Sequence, residues 1–307
     1  FFKMEDLKEK MLKENAKVNW VPEKAGNAFN SWLENLRDNS ITKQRYWGTP
    51  APIWRCGDCK EYQVIGSAKE LSKYGKVPKN LHKPWIDKVK WDCKCGGEMK
   101  RIPDILDVWI DAGVASWACL DYPQRKDLFE RYFPADFILE AKEQVRGWFN
   151  LLMVASMLTQ GKGSFKACYV HGMLTDVEGV KMSKSLGNVI SPYELIDKYG
   201  TDTLRFYMVG TNAGEDINFS WEEAKLKYKN LSILWNVHKF LLGYSKLFKI
   251  KRGKLGVEDK YILSRLNNTI LKVTDHIEKY EIDLVPKLIE DLFLDLSRNY
   301  IQLVRDK

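Results

Sequence analysis

The 307 residues are 45% hydrophobic, enough to bury a substantial core and to divide into two or three domains. Forty-nine Lys and Arg against 41 Asp and Glu leave a formal charge of +8, which suits a polyanionic partner such as nucleic acid and equally suits a basic protein with no such partner. No apolar run approaches the roughly 18 residues that span a bilayer, and Phe1-Phe2-Lys3-Met4-Glu5-Asp6 lacks the layout of a signal peptide, so no membrane association and a cytoplasmic location are expected.

The stretch from Met4 to Asn15 is charged and helix-prone, and Val18-Asn19-Trp20-Val21-Pro22 breaks it as a connector entering a domain would. Phe29, Trp32 and Leu36, three and four residues apart, predict a helix over about Asn27 to Leu36. It delivers the chain to Gln44-Arg45-Tyr46-Trp47-Gly48-Thr49-Pro50. From about Ala51 to Pro103 the composition turns to Gly, Lys and Cys, with a core too thin to stand without a staple.

Four of the six cysteines lie in that stretch, as the pairs Cys56 with Cys59 and Cys93 with Cys95. In a reducing compartment two such knuckles point to metal more than to disulfides, and four thiolates suit a closed, structural zinc site. Four incidental cysteines, or a redox pair at Cys56 and Cys59, are the other readings, and the one-residue spacing of the second pair is the weaker half of the pattern. Gly57, Gly96 and Gly97 give the backbone freedom that turns around a metal need. Cys119 and Cys168 stand apart and read as core thiols.

Between Ile105 and Val209 short apolar runs alternate with helical patterns: Val108-Trp109-Ile110, then Phe137-Ile138-Leu139-Glu140 ahead of a helix through Leu158, then Ala167-Cys168-Tyr169-Val170. Strand, helix and strand in that order predict an α/β domain with a parallel sheet. Ser191-Pro192-Tyr193-Glu194 joins a cap residue, a proline at the first helical position and a glutamate three after the serine, so a helix begins there and Gly200 ends it. Ser220 and Glu223 repeat the capping pattern. Beyond them the chain reads as helices only, with Leu231, Leu234, Val237, Leu241 and Tyr244 as one apolar stripe of a closing helical bundle.

Between the predicted strand ending near His171-Gly172 and the helix at Ser191 lies Gly179-Val180-Lys181-Met182-Ser183-Lys184-Ser185-Leu186-Gly187-Asn188. Two lysines on a loop of small and hydroxyl residues can reach a triphosphate from one side, and fixed cations there lower the barrier to attack on the α-phosphorus. Taken alone, two loop lysines are more often a solvated surface. In its context, however, this loop resembles the second signature of the class I aminoacyl-tRNA synthetases, which closes over ATP during amino-acid activation.

Within that class the sequence resembles the isoleucine, valine and leucine branch, and most of all the isoleucine enzymes of archaea and eukaryotes. Residues 44–50, Asp107-Val108-Trp109-Ile110-Asp111, Leu139-Glu140 through Gln144 with Arg146-Gly147-Trp148-Phe149, and the lysine loop carry the resemblance. Tyr261-Ile262-Leu263-Ser264-Arg265-Leu266 through Asp295-Leu296-Ser297-Arg298 resembles the anticodon-binding helices.

The resemblance implies the second half of a Rossmann-like parallel-sheet catalytic domain with an inserted zinc module, followed by an α-helical bundle. Its segments would be a connector returning from the editing insertion (1–50), the zinc module (51–103), the half-domain with the lysine loop (104–219), and a truncated stem-contact and anticodon-binding region (220–307). Lys181 and Lys184 would be catalytic. Glu140, Glu143, Gln144, His171, Gly172, Met182, Ser183 and Ser185 would bind ATP or the adenylate, and Trp109 and Trp148 would wall the amino-acid pocket, flat faces suiting a branched aliphatic chain. With 11 Trp in the chain, ordinary core packing is the other reading of those two. The implied substrates and partners are isoleucine, ATP with Mg2+, tRNA(Ile), and a missing first catalytic half and editing domain; the implied metal is structural Zn2+.

The match also departs from the family. A His-Ile-Gly-His-like first signature is absent, the four histidines being His82, His171, His238 and His276. The editing insertion is missing too, though Met4 to Pro22 resembles the segment returning from it. Asn39 stands for tryptophan, Thr42-Lys43 for Ser-Arg, Ala112 for serine, Ala141 for glycine and Glu143 for aspartate. The chain is therefore expected to be inactive alone. An RNA-binding or interaction module without catalysis is the second reading, and valine or leucine specificity a third, against which Trp47-Gly48-Thr49-Pro50 and the paired tryptophans lean toward isoleucine.

Overall fold

A computed structural model describes residues 2–38, 40–247 and 253–305; Asn39, one of the departures from the family, lies outside the described residues. In chain order the elements begin with α1 (Lys8–Asn15), β1 (Asn19–Val21), α2 (Glu23–Glu34), β2 (Thr42–Lys43), β3 (Ile53–Cys56), β4 (Tyr62–Val64), α3 (Ala68–Leu71), β5 (Trp91–Asp92), β6 (Glu98–Arg101) and β7 (Ile105–Leu106). There follow α4 (Val108–Gly113), α5 (Ala115–Ala118), α6 (Lys126–Tyr132), β8 (Ile138–Ala141), α7 (Trp148–Gln160), β9 (Ala167–His171) and β10 (Leu174–Thr175). The chain continues through α8 (Pro192–Tyr199), α9 (Thr201–Val209), β11 (Ile217–Asn218), α10 (Trp221–Leu247), α11 (Val257–Glu278), α12 (Val285–Asp295) and α13 (Ile301–Val304). They fall into two compact units, one of Phe1–Val18, Gly26–Asp136 and Glu143–Lys166, the other of Asn19–Ala25, Phe137–Lys142 and Ala167–Lys307.

In the first unit the cysteine-bearing stretch forms a four-stranded antiparallel sheet in the order β4-β3-β6-β5, with Trp54 opposite both Gln63 and Arg101. Its small core is Trp54, Cys56, Ile65, Leu71, Ile86, Val89 and Met99, and the Trp54 indole donates to the Val89 carbonyl at 2.8 Å. The rest of the unit centres on α7, where every residue from Phe149 to Met157 is buried, the polar Asn150 and Ser156 among them, and the helix packs against α1 and α4. Gly113 makes the α4 contact possible: a Cβ there would sit 2.7 Å from the Leu151 carbonyl oxygen.

Three expectations change in detail. Val108-Trp109-Ile110, read as a strand, opens α4, because the Asp107 side chain accepts from the Trp109 N–H at 3.1 Å and caps a helix there. The helix expected from Asn27 starts at Glu23, directly after Pro22, whose carbonyl accepts the Ala25 N–H at 2.9 Å. Cys119, expected in the core, is exposed, whereas Cys168 is buried.

The second unit holds the parallel sheet, ordered β1-β9-β8, so the stretch read as a break between helices contributes a strand. Strands β8 and β9 run parallel with Ile138 opposite Cys168 and Ala141 opposite His171, as the strand, helix, strand order predicts. Helix α8 starts at Pro192 and stops at Gly200, with φ +83°, but the Ser191 side chain makes no cap; its carbonyl accepts the Glu194 N–H instead. At Ser220 the side-chain cap does form, accepting from Glu223 N–H at 3.2 Å. Helix α10 packs on α9 and α12, where the buried Glu290 accepts from Lys227 and Asn230, each at 2.8 Å. The predicted stripe on α10 is only partly covered: Leu231 and Val237 are half-buried, while Leu234, Leu241 and Tyr244 are exposed.

Candidate active site

The C-terminal ends of the parallel strands, where ligands of open α/β sheets bind, carry Glu140 on β8 and His171 on β9. Glu140 is exposed, its Oε2 accepting from the neighbouring Ala141 N–H at 3.3 Å. The His171 imidazole Nδ1 lies 2.6 Å from the Gly172 carbonyl oxygen. Gly172 is buried against the turn before β11: a Cβ would fall 1.9 Å from the Glu215 carbonyl oxygen, so no larger residue fits this path. Asp216 ties that turn down, accepting from the Met173 N–H and from Lys142, both at 2.7 Å. The Lys142 ammonium and the Met173 N–H hold its carboxyl below the usual carboxylate range.

The lysine loop in the same unit is built around two residues that sequence reasoning passed over. Asp176 accepts from the Val180 and Glu178 N–H groups at 2.8 and 3.0 Å and from the Asn188 amide at 2.8 Å. Asn188 in turn accepts the Ser183 N–H at 2.9 Å. The Asn188 hydrogen bond, then that of Val180, keep the Asp176 carboxyl ionised below its ordinary range. Ser183 Oγ accepts from Leu186 N–H at 3.2 Å and lies 3.1 Å from Ser185 Oγ, so both hydroxyls shape the turn, and the Met182 sulfur accepts from Ile190 N–H at 3.3 Å. Lys181 and Lys184 are exposed, and neither has an ion-pair partner among the described residues. A tied-down backbone carrying two uncompensated ammonium groups is suited to an anionic ligand. Asp176 followed by Gly179 was a legible turn signal.

In the first unit Trp148 opens α7, and its indole N–H donates to the Ala112 carbonyl at 3.0 Å. Trp109 on α4 is 43% exposed and is no core residue. Gln144 Oε1 accepts the Trp148 N–H at 2.9 Å and so caps α7, and Glu143 is exposed.

The four paired cysteines converge, their sulfurs all lying within 4.8 Å of one another. Cys56 and Cys95 are 3.5 Å apart and Cys59 and Cys93 3.7 Å, close to the roughly 3.8 Å edge of a tetrahedron of thiolates around zinc. The Gly97 backbone N–H, aided by the neighbouring thiols, brings Cys95 down to about 6. The Glu61 N–H favours a Cys59 thiolate too, but the Cys95 and Cys56 thiols outweigh it and push Cys59 up to about 12. A cation bound among the four sulfurs would displace the thiol protons.

Residues 1–220 match the family of class I tRNA synthetases (I, L, M and V). The chain belongs to this family. Residues 259–307 match the anticodon-binding domain of tRNA ligases. This class I synthetase chain is 43% identical over 312 residues to the isoleucine–tRNA ligase of Archaeoglobus fulgidus, a match covering all of the chain and 30% of that protein. It is also 43% identical over 318 residues to the enzyme of that name from Methanothrix thermoacetophila, again over the whole chain and 30% of the relative. The chain therefore spans about 30% of the length of these relatives. Among solved structures, the LeuRS-tRNA-LeuAMS ternary complex of Agrobacterium radiobacter matches with a TM-score of 0.67 and 25% identity, over 89% of this chain and 38% of that one. Methionyl-tRNA synthetase of Mycobacterium tuberculosis has the same fold, with a TM-score of 0.68 at 21% identity over 98% of this chain and 52% of that one. The mixed α/β architecture with a parallel sheet and a helical C-terminal region is thus the class I synthetase fold.

Proposed function

We propose that the chain is the lysine-loop part of an isoleucine–tRNA ligase, whose parent joins isoleucine to ATP, releases pyrophosphate and transfers the aminoacyl group to tRNA(Ile). The identity of 43% to archaeal isoleucine–tRNA ligases over the whole chain carries this reading. In it, Lys181 and Lys184 meet the triphosphate of Mg2+-bound ATP from one side and offset the charge that builds as the isoleucine carboxylate attacks the α-phosphorus. Glu140 holds the ammonium of the amino acid, Glu143 and Gln144 contact the adenylate, and His171 and Gly172 lie along the adenine and ribose. Met182, Ser183 and Ser185 shape the loop over ATP, and Trp109 and Trp148 wall the side-chain pocket. The segment boundaries at residues 50, 103 and 219 are part of the same reading.

Cys56, Cys59, Cys93 and Cys95 would hold a Zn2+ ion, which supplies no chemistry to the reaction and staples the small sheet of β3 to β6. The sulfur separations and the closed all-thiolate donor set fit that ion.

Isoleucine-dependent pyrophosphate exchange tests the proposal. The isolated chain should show none, a mixture with the first catalytic half of an archaeal isoleucine enzyme should restore it, and Lys184→Ala in the mixture should lower it on the order of 100-fold. Exchange by the isolated chain, or restored exchange with valine in preference to isoleucine, would overturn it.

A further inference from the structure

We propose that the groove beside the cysteine cluster is a binding surface for single-stranded RNA, with Tyr62 stacking on its bases and Lys73 and Lys94 facing its phosphates. The inference rests on the reading that RNA is a partner of the parent enzyme.

The charge of the chain is concentrated here. Between residues 51 and 103 stand twelve Lys and Arg against six Asp and Glu, a net +6 out of the +8 of the whole sequence. Four thiolates around a divalent cation would subtract two charges and leave the module basic. On one side of it lies a groove of about 860 Å³ whose wall is aromatic and whose lip carries Lys73 and Lys94. The Tyr74 and Trp91 rings stack at 4.5 Å and 27°, which fixes the plane of the Trp91 indole. Tyr62 is 66% exposed, a large flat side chain with nothing covering it. Neither lysine has an ion-pair partner among the described residues, whereas Lys90 and Lys100 share Glu98 at 3.6 and 2.7 Å.

An open ring such as Tyr62 next to unpaired ammonium groups is what unstacked nucleotides bind, since every base offers a face and every linkage a phosphate, while Trp91, half-buried and packed on the module's core, backs the groove. A duplex presents phosphates but hides its base faces, and an acidic peptide matches the charge without the stacking. Glu61 and Asp92 also line the groove and disfavour a bare anion, which leaves the bases to contribute affinity.

The test is fluorescence anisotropy of a labelled six-nucleotide RNA against the full, metal-loaded chain across a salt series. Tyr62→Ala should weaken binding about 5- to 100-fold, while Tyr62→Phe, which keeps the ring, should bind within about 2-fold of the parent. Lys73→Ala should reduce the slope of log affinity against log salt by about 0.7. Metal content measured on each variant reports whether the module is intact; should Tyr62→Ala lose its metal, Tyr62→Phe and Lys73→Ala decide. Unchanged affinity in Tyr62→Ala, an unchanged slope in Lys73→Ala, or equal binding of a duplex or an acidic peptide would overturn the proposal. Pyrophosphate exchange needs no RNA, so restored exchange with unaltered RNA binding in these variants would sink this inference and leave the assigned reaction standing.

Discussion

Gly172 shows how one residue joins fold to site. It follows His171 at the end of β9, and its hydrogen occupies the only space between that strand and the Glu215 carbonyl. Because the obstructing atoms are backbone, they cannot rotate away as a side-chain tip would. Gly172→Ala should therefore destabilise the chain by about 1–3 kcal/mol, read as a fall in the denaturant midpoint at constant slope. A midpoint equal to that of the parent would mean that the Glu215 turn yields freely. The family resemblance placed Gly172 beside the nucleotide, but its tight packing was not legible, since it depends on a contact 43 residues away, the separation of Met173 and Asp216. Asp176 with Gly179 signalled a turn, but its bond to Asn188 was not legible, because the two are single polar residues without periodicity and meet at 2.8 Å only when the loop closes.

Among the elements, those set by local chemistry were legible and those set by partners were not. The β8 to β9 order, the start of α8 at Pro192 and its stop at Gly200 follow from apolar runs, proline and glycine. Val108-Trp109-Ile110 misled because three apolar residues fit either period, and the Asp107 cap decided for helix. The cysteine pairs were legible as a cluster, and the sheet that carries them yields a prediction. With a core of seven buried residues among those described, the β3 to β6 sheet is expected to depend on a metal held by the four cysteines. The purified chain should hold one zinc, Cys93→Ser should lose it, and chelation should lower the melting temperature of the parent but not of the variant; a metal-free parent would refute the assignment. The α10 to α12 contact makes a second prediction. Glu290 is 4% exposed and both its oxygens are engaged, so Asn230→Ala leaves a buried carboxylate oxygen unpaired and should cost about 1–3 kcal/mol in denaturant unfolding. A loss below about 0.5 kcal/mol would show that water replaces the amide at no cost.

For the molecule as a whole, amphipathic periodicity reports which face of a helix favours burial, not whether a partner covers it. On α10 the same stripe that predicts a bundle leaves Leu234, Leu241 and Tyr244 exposed, and Trp235 on the same helix is 62% exposed. On α11, Leu263, Leu266, Ile270 and Leu271 are exposed as well. Single exposed apolar residues are ordinary, but a series of them along two long helices favours association. The chain in isolation should self-associate, its sedimentation coefficient rising between micromolar and hundred-micromolar concentration and a dye that binds apolar surface lighting up on the folded protein. Leu241→Glu should reduce both without lowering the melting temperature, because Leu241 is 60% exposed and its side chain contributes little to the core. A chain that sediments as a monomer across that range would show these faces to be inert. Association unaffected by Leu241→Glu would move the sticky surface away from α10.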